Sequence, residues 1–245
     1  MVRYFALALL GCALAACGQP EVDNGRPSTS RAFPEADRPV SQLGSTAFGN
    51  EEARDNRQEA TTVMDLAEVA EGMSVADIGA GEGYYTVRLA ERVGPDGRVL
   101  AEDIDGEVRD RLAQRVLRER LDNVSVVLGT PDDPALPADS FDRIFLVHMY
   151  HEVGEPYAFL WRLRPALRPG GQVVVVDVDR PSDRHGISPR LLFCEFSAVG
   201  LKLVKFVRHP ALAGYYAQFE AVGERPQPAE IAPCQLGRDN GTAPA

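Results

Sequence analysis

The run Val75-Ala76-Asp77-Ile78-Gly79-Ala80-Gly81-Glu82-Gly83-Tyr84 decides how the rest of the chain is read. It starts as a short apolar strand and ends in a turn with glycine at every second position. Glycine lets a backbone turn tightly and come close to a ligand. A dinucleotide fingerprint has the form Gly-x-Gly-x-x-Gly, whose third glycine lets helix and pyrophosphate approach. Counted from Gly79, that third position is Tyr84, and its bulky ring argues against a pyrophosphate and an NAD-dependent oxidoreductase. The spacing is instead acid-x-Gly-x-Gly-x-Gly, and the acid, Asp77, suits a ligand with a cationic amino group. Taken alone the run also fits a plain tight turn between strand and helix, so the other strand ends have to agree.

Outward from this run, helix-like and strand-like stretches alternate. Upstream, Ala60, Val63, Met64, Ala67 and Ala70 recur at helical spacing and predict a helix over 51–71, with Gly72 as its stop. Strands are expected at 74–78, 98–104, 124–128, 142–148 and 172–177, and helices at 84–93, 107–121, 156–167 and 189–199. Asp105 and Ser188 stand where helix caps belong. The Val173–Val176 run suits a strand buried on both faces. Two last strands, 201–207 and 215–222, are close enough in sequence to pair antiparallel. Repeated strand–helix units predict an α/β fold: a seven-stranded, mostly parallel sheet with an antiparallel final strand and helices on both faces. Such sheets bind ligands beyond the carboxyl ends of their strands, near the point where strand order reverses. The second strand ends Glu102-Asp103-Ile104-Asp105, where a carboxylate can accept hydrogen bonds from both hydroxyls of a ribose. Asp103 is the best placed and Glu102 the second.

On these residues the chain resembles the class I S-adenosylmethionine (SAM)-dependent methyltransferases, over residues 51–222. The likeness is carried by residues 77–84, Asp103, 129–137, Ser140-Phe141-Asp142, 148–152 and Leu167-Arg168-Pro169-Gly170-Gly171. Within the family it is similar to a bacterial subgroup with Gly-Thr-x-Asp-Asp-Pro and Tyr-His-Glu segments, here 129–134 and 150–152. The resemblance implies a SAM cofactor and a small-molecule methyl acceptor. Asp77 and the backbone of Gly79, Ala80, Gly81 and Gly83, with Tyr84 beside them, would hold the methionine end. Asp103 would hold the ribose and Ile104 would pack on adenine. The loop after the third strand, with Thr130 and Asp132, would reach the adenine edge; many relatives carry an acid where this chain has Thr130. The end of the fourth strand, from His148, would lie near the transferable methyl. There His151 or Glu152 could act as a general base and Tyr150 could border the acceptor, or the three could only shape the pocket, since methyl transfer can run on alignment alone. No metal is expected: the spacing of His148, His151 and Glu152 matches no zinc-protease motif. Asp177 and Asp179 could line the acceptor pocket or be solvated loop acids, while His185 and His209 stand isolated.

The ends of the chain read differently. Arg3 precedes an apolar stretch that closes Leu14-Ala15-Ala16-Cys17, which is too short for a membrane span and resembles the lipobox of bacterial lipoproteins. Cys17 would be lipidated, with Gly18 after it fitting an outer-membrane destination; an unused signal would leave the protein in the cytoplasm. Residues 18–50, rich in Pro, Gly, Ser and charge, read as a flexible tether, and 225–245 as a loose tail. Export permits a Cys194–Cys234 disulfide, although Cys194, in an apolar helical stretch, also reads as a buried thiol. The net charge of −10 gives no basic footprint for nucleic acid. Two functions follow: a membrane-anchored methyltransferase, or a tethered SAM- or nucleoside-binding protein without catalysis.

Overall fold

A computed structural model describes residues 25–42 and 50–235. The strands are β1 (Ser74–Ile78), β2 (Arg98–Asp103), β3 (Val124–Leu128), β4 (Phe141–Val147), β5 (Leu167–Asp177), β6 (Leu201–Arg208) and β7 (Tyr215–Ala221). The helices are α1 (Glu51–Asn56), α2 (Glu59–Leu66), α3 (Tyr84–Val93), α4 (Gly106–Glu119), α5 (Pro156–Leu163) and α6 (Pro189–Ala198). The strands form one seven-stranded sheet in the order β3-β2-β1-β4-β5-β7-β6. The first five run parallel, and β7 runs antiparallel to both β5 and β6. The expected α/β sheet is therefore present, with its strand order reversing between β1 and β4.

Side-chain alternation sorts the helices. Val174 and Val176 face a cluster with α2 and α3, whereas Val173 and Val175 face α5 and α6. All four valines are fully buried, which is why the strand reads as a continuous apolar run. On β2, Val99 and Ala101 share the face covered by α3 and α4. Asp105 caps α4 by accepting from the Glu107 and Val108 amides, and Ser188 caps α6.

Several boundaries differ from the expectation, β5 beginning at Leu167 rather than at 172, and three of the shifts have a local chemical cause. The helix expected over 51–71 is two, because Gln58 adopts a left-handed conformation (φ 56°) between α1 and α2. The helix expected over 156–167 ends at Leu163 and passes into a 3₁₀ turn at Arg164–Ala166, since Pro165 has no amide hydrogen to continue the ladder. β4 stops one residue short of the expected end, at His148, whose φ is 55°.

The described parts of the expected tether and tail are packed on the domain, a correction to the sequence reading. In residues 25–42, Phe33 is buried edge-on to Trp161 at 5.4 Å, and Arg38 and Ser41 are buried. At the other end, Ile231 is buried, Trp161 Nε1 donates to the Pro226 carbonyl, and the Arg225 guanidinium lies 3.3 Å over the Trp161 ring. These anchors are spaced too widely to leave a helical or strand period among the prolines and charges. Cys194 is not a buried thiol: it is exposed on α6 and forms a disulfide with Cys234, with a Cα–Cα distance of 6.0 Å. The lipobox and Cys17 lie outside the described residues. No helix among the described residues is long and apolar enough to cross a membrane.

Candidate active site

The carboxyl ends of β1, β2 and β4 meet around a cavity of about 710 Å³. Gly79 and Gly81 form one side, Asp103 and Ile104 the next, then Thr130 and Pro131, and finally His148, Met149 and Glu152. Val40, Ser41 and Gln42 of the N-terminal segment complete the lining.

The glycine loop is held by backbone and acid together. Ala80 N donates to the Glu102 carbonyl at 2.9 Å, and Gly81 N donates to Asp103 Oδ2 at 3.0 Å. The other Asp103 oxygen accepts from the Asp105 amide at 2.9 Å, so this carboxylate is aimed from two sides. Gly79 has φ 65°, which favours glycine, and a Cβ there would lie 3.0 Å from the Met149 side chain, which would have to give way. A Cβ at Gly81 would meet nothing within 4 Å, so there the loop lies open to the cavity.

Asp77 lies beneath the loop and outside the cavity lining. It is buried and accepts from Thr86 Oγ1 at 2.6 Å. Burial pushes its pKa up to about 6 against the pull of that hydrogen bond. Glu102, also buried, is pushed up to about 8 by burial, opposed by the Gly79 amide, which it accepts at 3.4 Å. A proton on Glu102 keeps negative charge concentrated on Asp103 at the cavity surface.

The remaining expected residues divide. Gly79, Gly81, Asp103, Ile104, Thr130, His148 and Glu152 line the cavity. Gly83 instead sits at the start of α3 in a left-handed conformation. The Tyr84 ring is sandwiched by the guanidiniums of Arg54 and Arg88, at 3.8 and 3.9 Å, and its hydroxyl donates to Asp55. Asp132 does not reach the cavity: its carboxylate accepts from Thr29, Ser30, Thr130 and Arg162. Tyr150 is likewise turned away, fully buried with its hydroxyl donating to Glu195 at 2.8 Å. Asp132 is drawn off by Thr29 and Ser30 and Tyr150 by Glu195, partners distant in sequence that residue spacing does not register.

His151 is fully buried behind Glu152, with Nδ1 3.0 Å from both oxygens of Asp177. Asp177, which the sequence leaves open between a pocket acid and a solvated loop acid, is buried and faces this imidazole instead. His185, isolated in sequence, stands edge-on to His151 at 5.7 Å between ring centres. Sequence reading also missed Glu59, a buried acid of α2 that lies 3.5 Å from His148 Nε2. Burial would raise Glu59, yet hydrogen bonds from His148 and Arg54 outweigh it and hold its pKa at about 2. Glu59 sits on a helix face among apolar residues, so only its lack of exposure marks it.

Residues 75–171 match the family described as a methyltransferase domain. The chain is 33% identical over 113 residues to a protein-L-isoaspartate O-methyltransferase of Methanothrix thermoacetophila, covering 46% of this chain and 51% of that protein. It is 34% identical over 159 residues to a nocamycin O-methyltransferase of Saccharothrix syringae, covering 64% and 56%. The chain therefore spans about half the length of these curated relatives. Among solved structures, a SAM-dependent methyltransferase from Aquifex aeolicus superposes with a TM-score of 0.60 at 22% identity, covering 70% of this chain and 97% of that one. That likeness concerns the fold.

Proposed function

We propose, from a chain whose residues 75–171 match a methyltransferase domain, that the protein transfers the SAM methyl group to a small-molecule nucleophile. One observation carries the reading: the glycine cradle, Asp103 with Ile104, and the His148–Glu152 wall line a single cavity. Bound SAM supplies a methyl on a sulfonium, ready for in-line displacement. The residues present fit it. Asp103 offers a doubly anchored carboxylate to a ribose, Ile104 an apolar face to adenine, and the 79–81 backbone a close approach to the methionine end. Its cation is welcomed by the negative charge that Asp103 brings to the cavity surface.

The acceptor would lie against His148, Met149 and Glu152. Aligning two reactants in a closed site supplies much of the rate gain open to such an enzyme. Glu152 is the carboxylate on that wall that would take the acceptor's proton, with His151 and Asp177 buried behind it. An acceptor of small size is supported by the enclosing segment Val40–Gln42, and by the nocamycin relative, whose name specifies a small molecule.

Export to the periplasmic side, with a lipid on Cys17 and an outer-membrane destination, is part of the same proposal. The lipobox supports it, and so does the Cys194–Cys234 disulfide, because such bonds persist in oxidising compartments. The export signal also favours a second reading, a tethered binding protein, since SAM is made in the cytoplasm.

Ligand-shift melting of the full-length protein tests the cofactor. A ligand that binds only the folded state raises the melting temperature, by about 2.7 kcal/mol of stabilisation at a hundredfold excess over Kd. SAM and S-adenosylhomocysteine should both do so. A shift with NADH and none with either of these overturns the proposal. Binding without turnover across a panel of small hydroxyl and amine acceptors favours the second reading. Fractionation tests the anchor: Cys17→Ser should release the protein from the detergent-extracted membrane fraction, and unchanged fractionation removes the lipid proposal.

A further inference from the structure

The geometry points to a divalent transition-metal site formed by His151 Nε2, Glu152 Oε1 and His185 Nδ1 at the edge of the acceptor cavity. His151 Nε2 and His185 Nδ1 each lie 3.9 Å from Glu152 Oε1, and the three atoms are within 4.8 Å of one another. Two imidazole nitrogens and one carboxylate are a set that zinc enzymes use while keeping a further position for water or substrate. Around an ion with ligand bonds of about 2.1 Å, tetrahedral neighbours stand about 3.4 Å apart. Closing from 3.9 Å asks only a small side-chain rotation. The nitrogen content favours zinc, cobalt or iron(II) over magnesium or calcium, which take oxygen ligands.

Three further features support the assignment. His151 Nδ1 faces both oxygens of the fully buried Asp177 at 3.0 Å, and Asp177 is itself held by the Val178 amide at 2.7 Å. A carboxylate accepts, so Nδ1 carries the hydrogen and Nε2 presents a lone pair. A carboxylate behind a histidine is the outer partner that orients metal-binding imidazoles. Next, His185 Nδ1 is a buried atom with no hydrogen-bond partner among the described residues. Burying such an atom unsatisfied is costly, and an ion resolves it. Finally, His185 is fixed in a left-handed conformation (φ 53°) with its amide donating to Ser41 Oγ at 2.9 Å, and Ser41 Oγ donating to the Ser182 carbonyl. Sequence spacing could not show this set, because its third member arrives from the segment after β5.

The use of the ion rests on the methyl-transfer reading. Glu152 and Ser41 line the cavity, so the remaining coordination position borders the acceptor. That position suits an oxygen acceptor, a hydroxyl or carboxylate. An ion lowers the pKa of a bound hydroxyl, and its proton passes to the second oxygen of Glu152 or to water. The acceptor oxygen then forms the new carbon–oxygen bond with its lone pair as the methyl–sulfur bond breaks, leaving that electron pair on sulfur.

The test is calorimetric titration of the metal-stripped full-length protein with Zn²⁺, together with the visible spectrum of the Co²⁺ form. One equivalent per chain and cobalt d–d bands are expected. His185→Ala should weaken binding by more than tenfold, and Asp177→Asn by about 10- to 100-fold. His209→Ala, outside the cluster, should not change it. Melting of each variant with S-adenosylhomocysteine checks that the fold and cofactor site persist. Absence of stoichiometric zinc binding, or equal binding by His185→Ala, overturns the site. Zinc binding lost in His185→Ala but no response to S-adenosylhomocysteine upholds the site and overturns the methyl-transfer reading instead.

Discussion

Arg38 Nε donates to Glu195 Oε1 at 2.8 Å, joining the N-terminal segment to α6 with both side chains buried. The same guanidinium donates to the carbonyls of Tyr150, His151 and Val153, and the Tyr150 hydroxyl takes up the second Glu195 oxygen. The pair therefore fixes the backbone on which the acceptor wall is mounted. Removing one partner of a buried pair leaves an uncompensated charge and costs about 3–5 kcal/mol. Arg38→Ala should lower stability by that amount in urea unfolding. Arg38→Met combined with Glu195→Leu should recover most of it. A loss below about 1 kcal/mol in the single variant, within the range of exposed ion pairs, would mean that the segment is not seated as described.

Glu102 predicts an unusual pH dependence. Its pKa rises from an ordinary 4.5 to about 8 on folding, through burial. The folded chain thus keeps a proton that the unfolded chain releases near 4.5. Stability from this group is complete below that value, declines as pH rises, and is gone above about 8. Glu102→Gln imitates the protonated form. It should match the parent near pH 5 and melt higher at pH 9. Parallel pH profiles for the two proteins, measured by thermal melting, would refute the assignment.

The Cys194–Cys234 bond closes a loop with a sequence separation of 40. A cross-link of this span contributes about 2–4 kcal/mol by restricting the unfolded chain. Cys194→Ser/Cys234→Ser should lose that much, and reductant should destabilise the parent but not the variant. The Tyr157 hydroxyl, which accepts from the Cys234 amide at 2.6 Å, would lose its partner if the tail detached. Near-ultraviolet circular dichroism reads that change.

Asp103→Ala should weaken S-adenosylhomocysteine binding by about 10- to 150-fold. Hydrogen bonds to a charged group are each worth about 1.5–3 kcal/mol. Calorimetry provides the value. Asp132→Ala is the contrast: its carboxylate ties the N-terminal segment to the loop after β3, so it should lower the melting temperature while affinity changes little. A large affinity loss for Asp132→Ala with none for Asp103→Ala would invert the two roles.

What could be read in the sequence was whatever chemistry repeats at short range. Strand–helix alternation, the 79–83 glycines and the Asp105 and Ser188 caps each depend on neighbours a few residues away, and each appears in the fold. Asp103 and Ile104 were legible because a parallel sheet sends its carboxyl ends to one edge. The side chains that went elsewhere, Asp132 and Tyr150, answered to partners at residues 29, 30 and 195. The cluster of His151, Glu152, Asp177 and His185 is invisible for the same reason: three segments contribute to it, and none contains a motif. Composition misled at the termini, where a few anchors among many prolines suffice to pin a segment.

The packing of residues 25–42 changes how far an anchored domain could travel. A tether free from 18 to 50 would reach about 110 Å at full extension. With the chain tied to the domain at Arg26 by its pair with Glu155, a lipid proposed on Cys17 would stand nine residues away along the chain, about 30 Å at most. Under the anchoring proposed above, the cavity would be held close to the bilayer surface.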